Sequence, residues 1–133
     1  MASNIADFLA SELIDHFLRN SAYSPPATVY VGLFTSAVGD DWTGTEVSGG
    51  DYVREAIAFD ASAGGRVTQN TALVTFTEAS ALWGEVGWVG LHDAETVGNG
   101  LAWGAVDTAK TIDDGDTAKI AAAALTFTFT ATP

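Results

Sequence analysis

Residues 27–36 read ATVYVGLFTS. In an extended chain Val29, Val31 and Leu33 fall on one side, with Tyr30 and Phe34 on the other. That suits a strand buried on both faces. Just upstream, Ser24-Pro25-Pro26 blocks a helix, because proline fixes its own backbone and restricts the residue before it. From this stretch onward the hydrophobic period is two.

The same alternation predicts further strands over 51–60, 72–78, 86–93, 101–108, 117–121 and 125–132. Val53, Ile57 and Phe59 share one side of the first, with Tyr52 and Arg54 opposite. Val74 and Phe76 alternate with threonines in the next. The strands at 86–93 and 101–108 each carry a central tryptophan, Trp88 and Trp103, read as core. In the last, Leu125, Phe127 and Phe129 face inward against four threonines. Turn signals separate these runs: SGGD (48–51), SAGG (62–65), TVGNG (96–100) and DDGD (113–116). About seven strands with no helix between them predict a mainly β protein, a single antiparallel β-sandwich spanning residues 1–133. Glycines inside strands, among them Gly32, Gly90 and Gly104, imply bulges or close neighbours. Gly104 is read as room for a facing tryptophan.

Upstream of the prolines, residues 4–20 form one amphipathic α-helix. Ile5, Phe8, Leu9, Leu13, Phe17 and Leu18 line one face, and Ser3 or Asn4 is placed to cap its start. Asp7 suits its first turn and Arg19 its last. The simpler expectation is a helix laid over an open end or face of the sheet; the sharper one is docking on a neighbouring subunit.

Seventeen acidic residues against five basic ones give a net charge of −12. Arg19, Arg54, Arg66, Lys110 and Lys119 are scattered, which argues against nucleic acid and against an anionic membrane surface. There is no cysteine, hence neither a disulfide nor a thiolate metal site. No apolar run is long enough to span a bilayer, and Asp7, Glu12 and Asp15 interrupt any secretory signal.

Catalytic signals are sparse. His92 and Asp93 are adjacent, so on a strand they point to opposite faces and do not orient one another. His16 sits on the flank of the helix. The acidic clusters Asp40-Asp41 and Asp113–Asp116 lack the spacing of a calcium loop and read as soluble turns. SGG at 48–50 leads into a strand with no lysine after it, so it is no phosphate cradle. Its expected task is a tight turn at positive φ. No enzyme activity, cofactor or metal is expected. The residues singled out for contact are Trp42, in the polar loop DDWTGT, with Gly49, Gly50 and Tyr52; the alternative for Trp42 is a ring folded back over the sandwich edge.

NSAYSPPATVYVGLFTS, then GTEVSGGDYVREAIAF, then LWGEVGWVGLHDAETVGNGLAWGAV and the closing DDGDTAKIAAAALTFTFT resemble, in this order, a family of small bacteriophage structural proteins. Its members are usually labelled phage tail fibre proteins. The likeness covers nearly the whole chain, and VYVGLFTS and TEVSGGxYxR are its specific parts. It implies a virion component assembled in the host cytoplasm, a tail or tail-fibre part serving assembly or attachment. Partners would be other virion proteins and the chain's own copies, as trimers or hexamers. Capsid decoration (a cement protein) is the alternative within the class. A carbohydrate-binding module using Trp42 on a host-surface glycan is the alternative outside it. Under the virion reading the bare backbone at Gly49 and Gly50 also admits a neighbour.

Overall fold

The computed structural model describes residues 3–62 and 64–129. The chain order is β1 (Asn4–Ile5), α1 (Asp7–Leu18), β2 (Val29–Phe34), β3 (Glu55–Ile57), β4 (Val67–Gln69), β5 (Val74–Glu78), β6 (Gly84–His92), β7 (Gly100–Ile112), β8 (Thr117–Ile120) and β9 (Thr126–Thr128). Five strands form one antiparallel sheet in the order β1-β7-β6-β2-β3. Two ribbons, β4-β9 and β5-β8, complete a sandwich-like arrangement.

The core lies between the large sheet and the ribbons. Val31 and Leu33 of β2, Val86, Val89 and Leu91 of β6, and Leu101 and Ala102 of β7 meet Val74, Phe76, Trp83 and Leu125 there. Burying each such aliphatic side chain contributes about 1.5–3 kcal/mol. Asn70, also buried, ties the two ribbons together. Its amide donates to the carbonyls of Ala72 and Ala121 and its side-chain oxygen accepts the Leu125 N–H, all at 2.8–2.9 Å. At the far corner Ser3 Oγ accepts the Thr128 N–H at 2.9 Å.

The mainly β sandwich is as expected, with nine strands among the described residues instead of about seven. The helix does not begin at Asn4. Asn4 and Ile5 pair with Trp103 and Ala102 of β7, and Ala6 occupies the cap position without a side-chain bond. Neither Ser3 nor Asn4 caps α1, because the β7 edge claims this segment first. β4 is an added strand. β7 runs four residues past the expected end at 108, through Ile112. The expected strand 51–60 shrinks to Glu55–Ile57; Tyr52 turns inward and Val53 outward, so the alternation breaks between 53 and 57. Phe129 is exposed, not core, and residues 130–132 of the expected last strand lie outside the described residues. Trp83 is the buried tryptophan, while Trp88 and Trp103 are half-buried on the outer face.

Candidate functional site

Adjacent strand residues point to opposite faces, so Phe34 and His92 lie on the side of the sheet away from the core. Both are buried all the same. The long connection 35–54 folds back over them, pinned by a bridge between Phe34 and Glu46 and by the bonds Thr35 N–H to Thr45 O and Val47 N–H to Leu33 O. Under it the His92 ring stacks on Phe34 at 5.9 Å and meets Trp42 edge-on at 5.1 Å.

Trp42 is not held out to solvent. Its indole lies across Gly90 and Gly100, where a Cβ on either would run into the ring. Strand glycines thus do make room for a tryptophan, but at Gly90 and Gly100, and for a loop residue. Trp42 adopts φ +60, and its exposed edge lines a shallow hollow with Ala6, Phe8 and Asp40.

Beside the aromatics sits a polar network. The Tyr52 hydroxyl donates to Glu46 Oε1 and accepts the Leu33 N–H, both at 2.8 Å. Arg54 grips both Glu46 oxygens and donates through Nη1 to the carbonyls of Ala94 (3.0 Å) and Val97 (2.7 Å). Gly32 opens the space: a Cβ there would stand 2.6 Å from Glu46 Oε1 and 3.0 Å from His92 Nε2. Burial, then the nearby Arg54 charge, lowers the His92 pKa to about 4, so the imidazole is neutral at neutral pH. Burial alone would raise the Glu46 carboxyl, but the bonds from Arg54 and Tyr52 outweigh it and hold it below the usual range. Burial, reinforced by the Glu46 carboxylate, pushes the Tyr52 hydroxyl up. These shifts favour fixed protonation states at neutral pH, and the arrangement rigidifies the connection.

Arg54 also fixes the loop between β6 and β7. Asp93 caps that loop by accepting from the Asn99 backbone and side-chain amides, at 2.7 and 2.8 Å. Val97 stands at its tip with φ +58 and is 85% exposed. A β-branched residue in that conformation is strained.

The SGGD turn is real. Gly49 (φ +76), Gly50 (φ +56) and Asp51 (φ +61) all occupy left-handed backbone, and the Tyr52 N–H closes the turn on the Gly49 carbonyl. At Gly50 the close neighbour is internal. The Trp83 indole N–H donates to the Gly50 carbonyl at 2.9 Å, and a Cβ on Gly50 would stand 2.9 Å from that nitrogen. A Cβ on Gly49 would meet nothing. The four contact candidates therefore form no single patch. Gly49 and Tyr52 line an open cleft with Arg54, Glu95 and Val97, Gly50 backs onto Trp83, and Trp42 lies elsewhere.

The acidic turns satisfy themselves. Asp116 accepts the Asp113 N–H, Asp40 accepts the Trp103 indole N–H, and Asp41 accepts the Thr43 hydroxyl. No group of three or more metal-ligating side chains converges among the described residues.

Of the uncovered apolar side chains of α1, Phe17 and Leu18 belong to the face the sequence assigns to the helix, and Ile14 lies outside that set. The first turn of α1 packs Phe8 and Leu9 on the core, but Ile14, Phe17 and Leu18 are 54%, 71% and 79% exposed. The helix covers the sheet with one half only. The helical periodicity places Phe8, Leu9, Phe17 and Leu18 on one face and does not say where the sheet beneath it ends.

Among curated proteins none matches the chain. Residues 4–128, from the first residue of β1 to the last of β9, match the family described as podophage GP4 fiber I protein gp80, and the chain belongs to that family.

Proposed function

We propose that this phage fibre-family protein is an assembly module of the tail, a small rigid brick that works by packing against its own copies and other virion proteins. The observation that carries this reading is the bare distal half of α1, where Ile14, Phe17 and Leu18 project on a chain of net charge −12. Such a surface is costly on a lone soluble domain and favourable at an interface. The rigid Glu46–Arg54 network and the cysteine-free core suit a part whose shape must persist.

An attachment role through glycan stacking on Trp42 has less support, since one face of that ring is already spent on Gly90 and Gly100.

Quantitative mass spectrometry of purified particles tests it. The protein should be present on the order of tens of copies, in multiples that follow a rotational axis. Copies on the order of hundreds would favour capsid decoration. Absence from particles would overturn the reading, and competition by the purified domain for host adsorption would replace it with attachment.

A further inference from the structure

Of the chain's asparagines, Asn4, Asn20, Asn70 and Asn99, only the last precedes a glycine. That pair is chemically labile in a loose chain. The Gly100 backbone nitrogen attacks Asn99 Cγ and forms a carbon–nitrogen bond. The side-chain amide bond breaks, and ammonia leaves with the proton that the backbone nitrogen gives up. Water then opens the five-membered imide at either carbonyl. One product is aspartate; the other is isoaspartate, whose backbone runs through the former side chain. Glycine makes the first step fast, because no Cβ stands in the way of the closing ring.

The pair sits where the loop between β6 and β7 runs into β7. Asn99 is exposed, and Gly100 is buried beneath the Trp42 indole. The loop closes on one carboxylate. Asp93 Oδ1 accepts the Asn99 backbone N–H at 2.7 Å, and Oδ2 accepts the Asn99 side-chain amide at 2.8 Å. The Asp93 N–H in turn donates to the Asn99 carbonyl at 3.1 Å. Gly98, at φ +72, leaves the space this needs, since a Cβ there would strike Asp93 Oδ1.

We infer that Asn99-Gly100 is a spontaneous modification site of this chain, and that Asp93 is the positioning residue that restrains it. Bringing Cγ onto the Gly100 nitrogen takes rotation of the Asn99 side chain, of its backbone, or of both. A charge-assisted hydrogen bond to Asp93 opposes the first, and two further bonds to the same residue oppose the second. Conversion replaces the Asn99 amide with a carboxylate, which faces the Asp93 carboxylate as a like charge. Isoaspartate also lengthens the backbone just before Gly100, on which Trp42 rests. A converted chain therefore frees the loop and unseats the indole.

Peptide mapping by mass spectrometry tests this on the full chain, kept in neutral buffer and sampled over time. Enzymatic methylation of isoaspartate counts the rerouted product. Folded wild type should convert at Asn99 at least about tenfold more slowly than the same chain held in urea, since a bond to a charged group must break first. Asp93→Ala should lose most of that protection while its circular dichroism spectrum stays that of the wild type. Arg54→Met releases the same loop at Ala94 and Val97 but keeps Asp93, so it should convert like the wild type. Converted wild type should show tryptophan emission shifted to the red. Equal rates in folded and unfolded wild type overturn the inference. So does an Asp93→Ala chain as durable as the wild type. An Arg54→Met chain as labile as Asp93→Ala also overturns it, because loop rigidity and not the carboxylate would then be the restraint. Unchanged emission after conversion overturns the coupling to Trp42. If Asp93→Ala does not fold, Asp93→Asn replaces it: one acceptor oxygen is lost, and conversion should still outrun the wild type.

Discussion

Arg54 holds Glu46 with two parallel bonds, Nε to Oε1 at 2.8 Å and Nη2 to Oε2 at 2.7 Å, and the pair is largely shielded from solvent. Removing one partner leaves the other charged and poorly hydrated. Arg54→Met should cost about 3 kcal/mol in urea unfolding, and Glu46→Gln a similar amount. The double variant should recover much of that loss, because no orphaned charge remains. Amide exchange should quicken at 94–97 in Arg54→Met, since Arg54 also binds the carbonyls of Ala94 and Val97.

Acid should weaken the fold before ordinary carboxylates titrate. The His92 imidazole takes a proton near 6.5 when unfolded but only near 4 when folded. The unfolded state therefore binds more protons across that window, and stability falls as pH drops through it, by on the order of 3 kcal/mol. Phe34, Trp42, Glu46 and Arg54 surround the ring, and Glu46, whose carboxyl is held low, adds a further loss as pH falls through its own lowered value. Urea midpoints measured between about pH 7 and 4 should decline less in His92→Phe, which keeps the aromatic packing without the titrating nitrogen.

The two turn glycines should separate cleanly. Gly49→Ala meets no atom and pays only for left-handed backbone, about 1 kcal/mol. Gly50→Ala also strikes the Trp83 indole and breaks its bond to the Gly50 carbonyl, for about 3 kcal/mol in all. Equal losses in thermal unfolding would refute this ordering.

Gly100→Ala should evict Trp42. A Cβ there overlaps the indole, and displacing it uncovers Phe34 and His92. The expected cost is about 1–3 kcal/mol, with tryptophan emission shifted to the red.

Much of the sandwich is legible in the alternation of the longer runs: Val31 and Leu33, Val74 and Phe76, and Val89 and Leu91 are all buried. Short elements are not. β4 offers only Val67, Thr68 and Gln69, too few residues to show a period, and it exists because β9 pairs with it. Asn4 and Ile5 satisfy a helical pattern locally, yet the edge of β7 offers them backbone partners. The second half of β7 reads as polar because its inner face meets a groove instead of a filled core. The Glu46–Tyr52–Arg54 cluster was half visible, with Tyr52 singled out, but nothing local announces that Glu46 and His92 meet beneath a connection of twenty residues. The glycine at position 32 was the signal, since a residue without a side chain inside a strand asks what occupies the space above it.

Ser3 and Thr128 touch, although 125 positions separate them. A load strung between these two points would peel away β1 and β9, each a few residues long, one bond at a time, while the long β6-β7 ladder stayed slack. Tension along a fibre is therefore better carried sideways, through the flanks of the brick, than through its backbone from end to end.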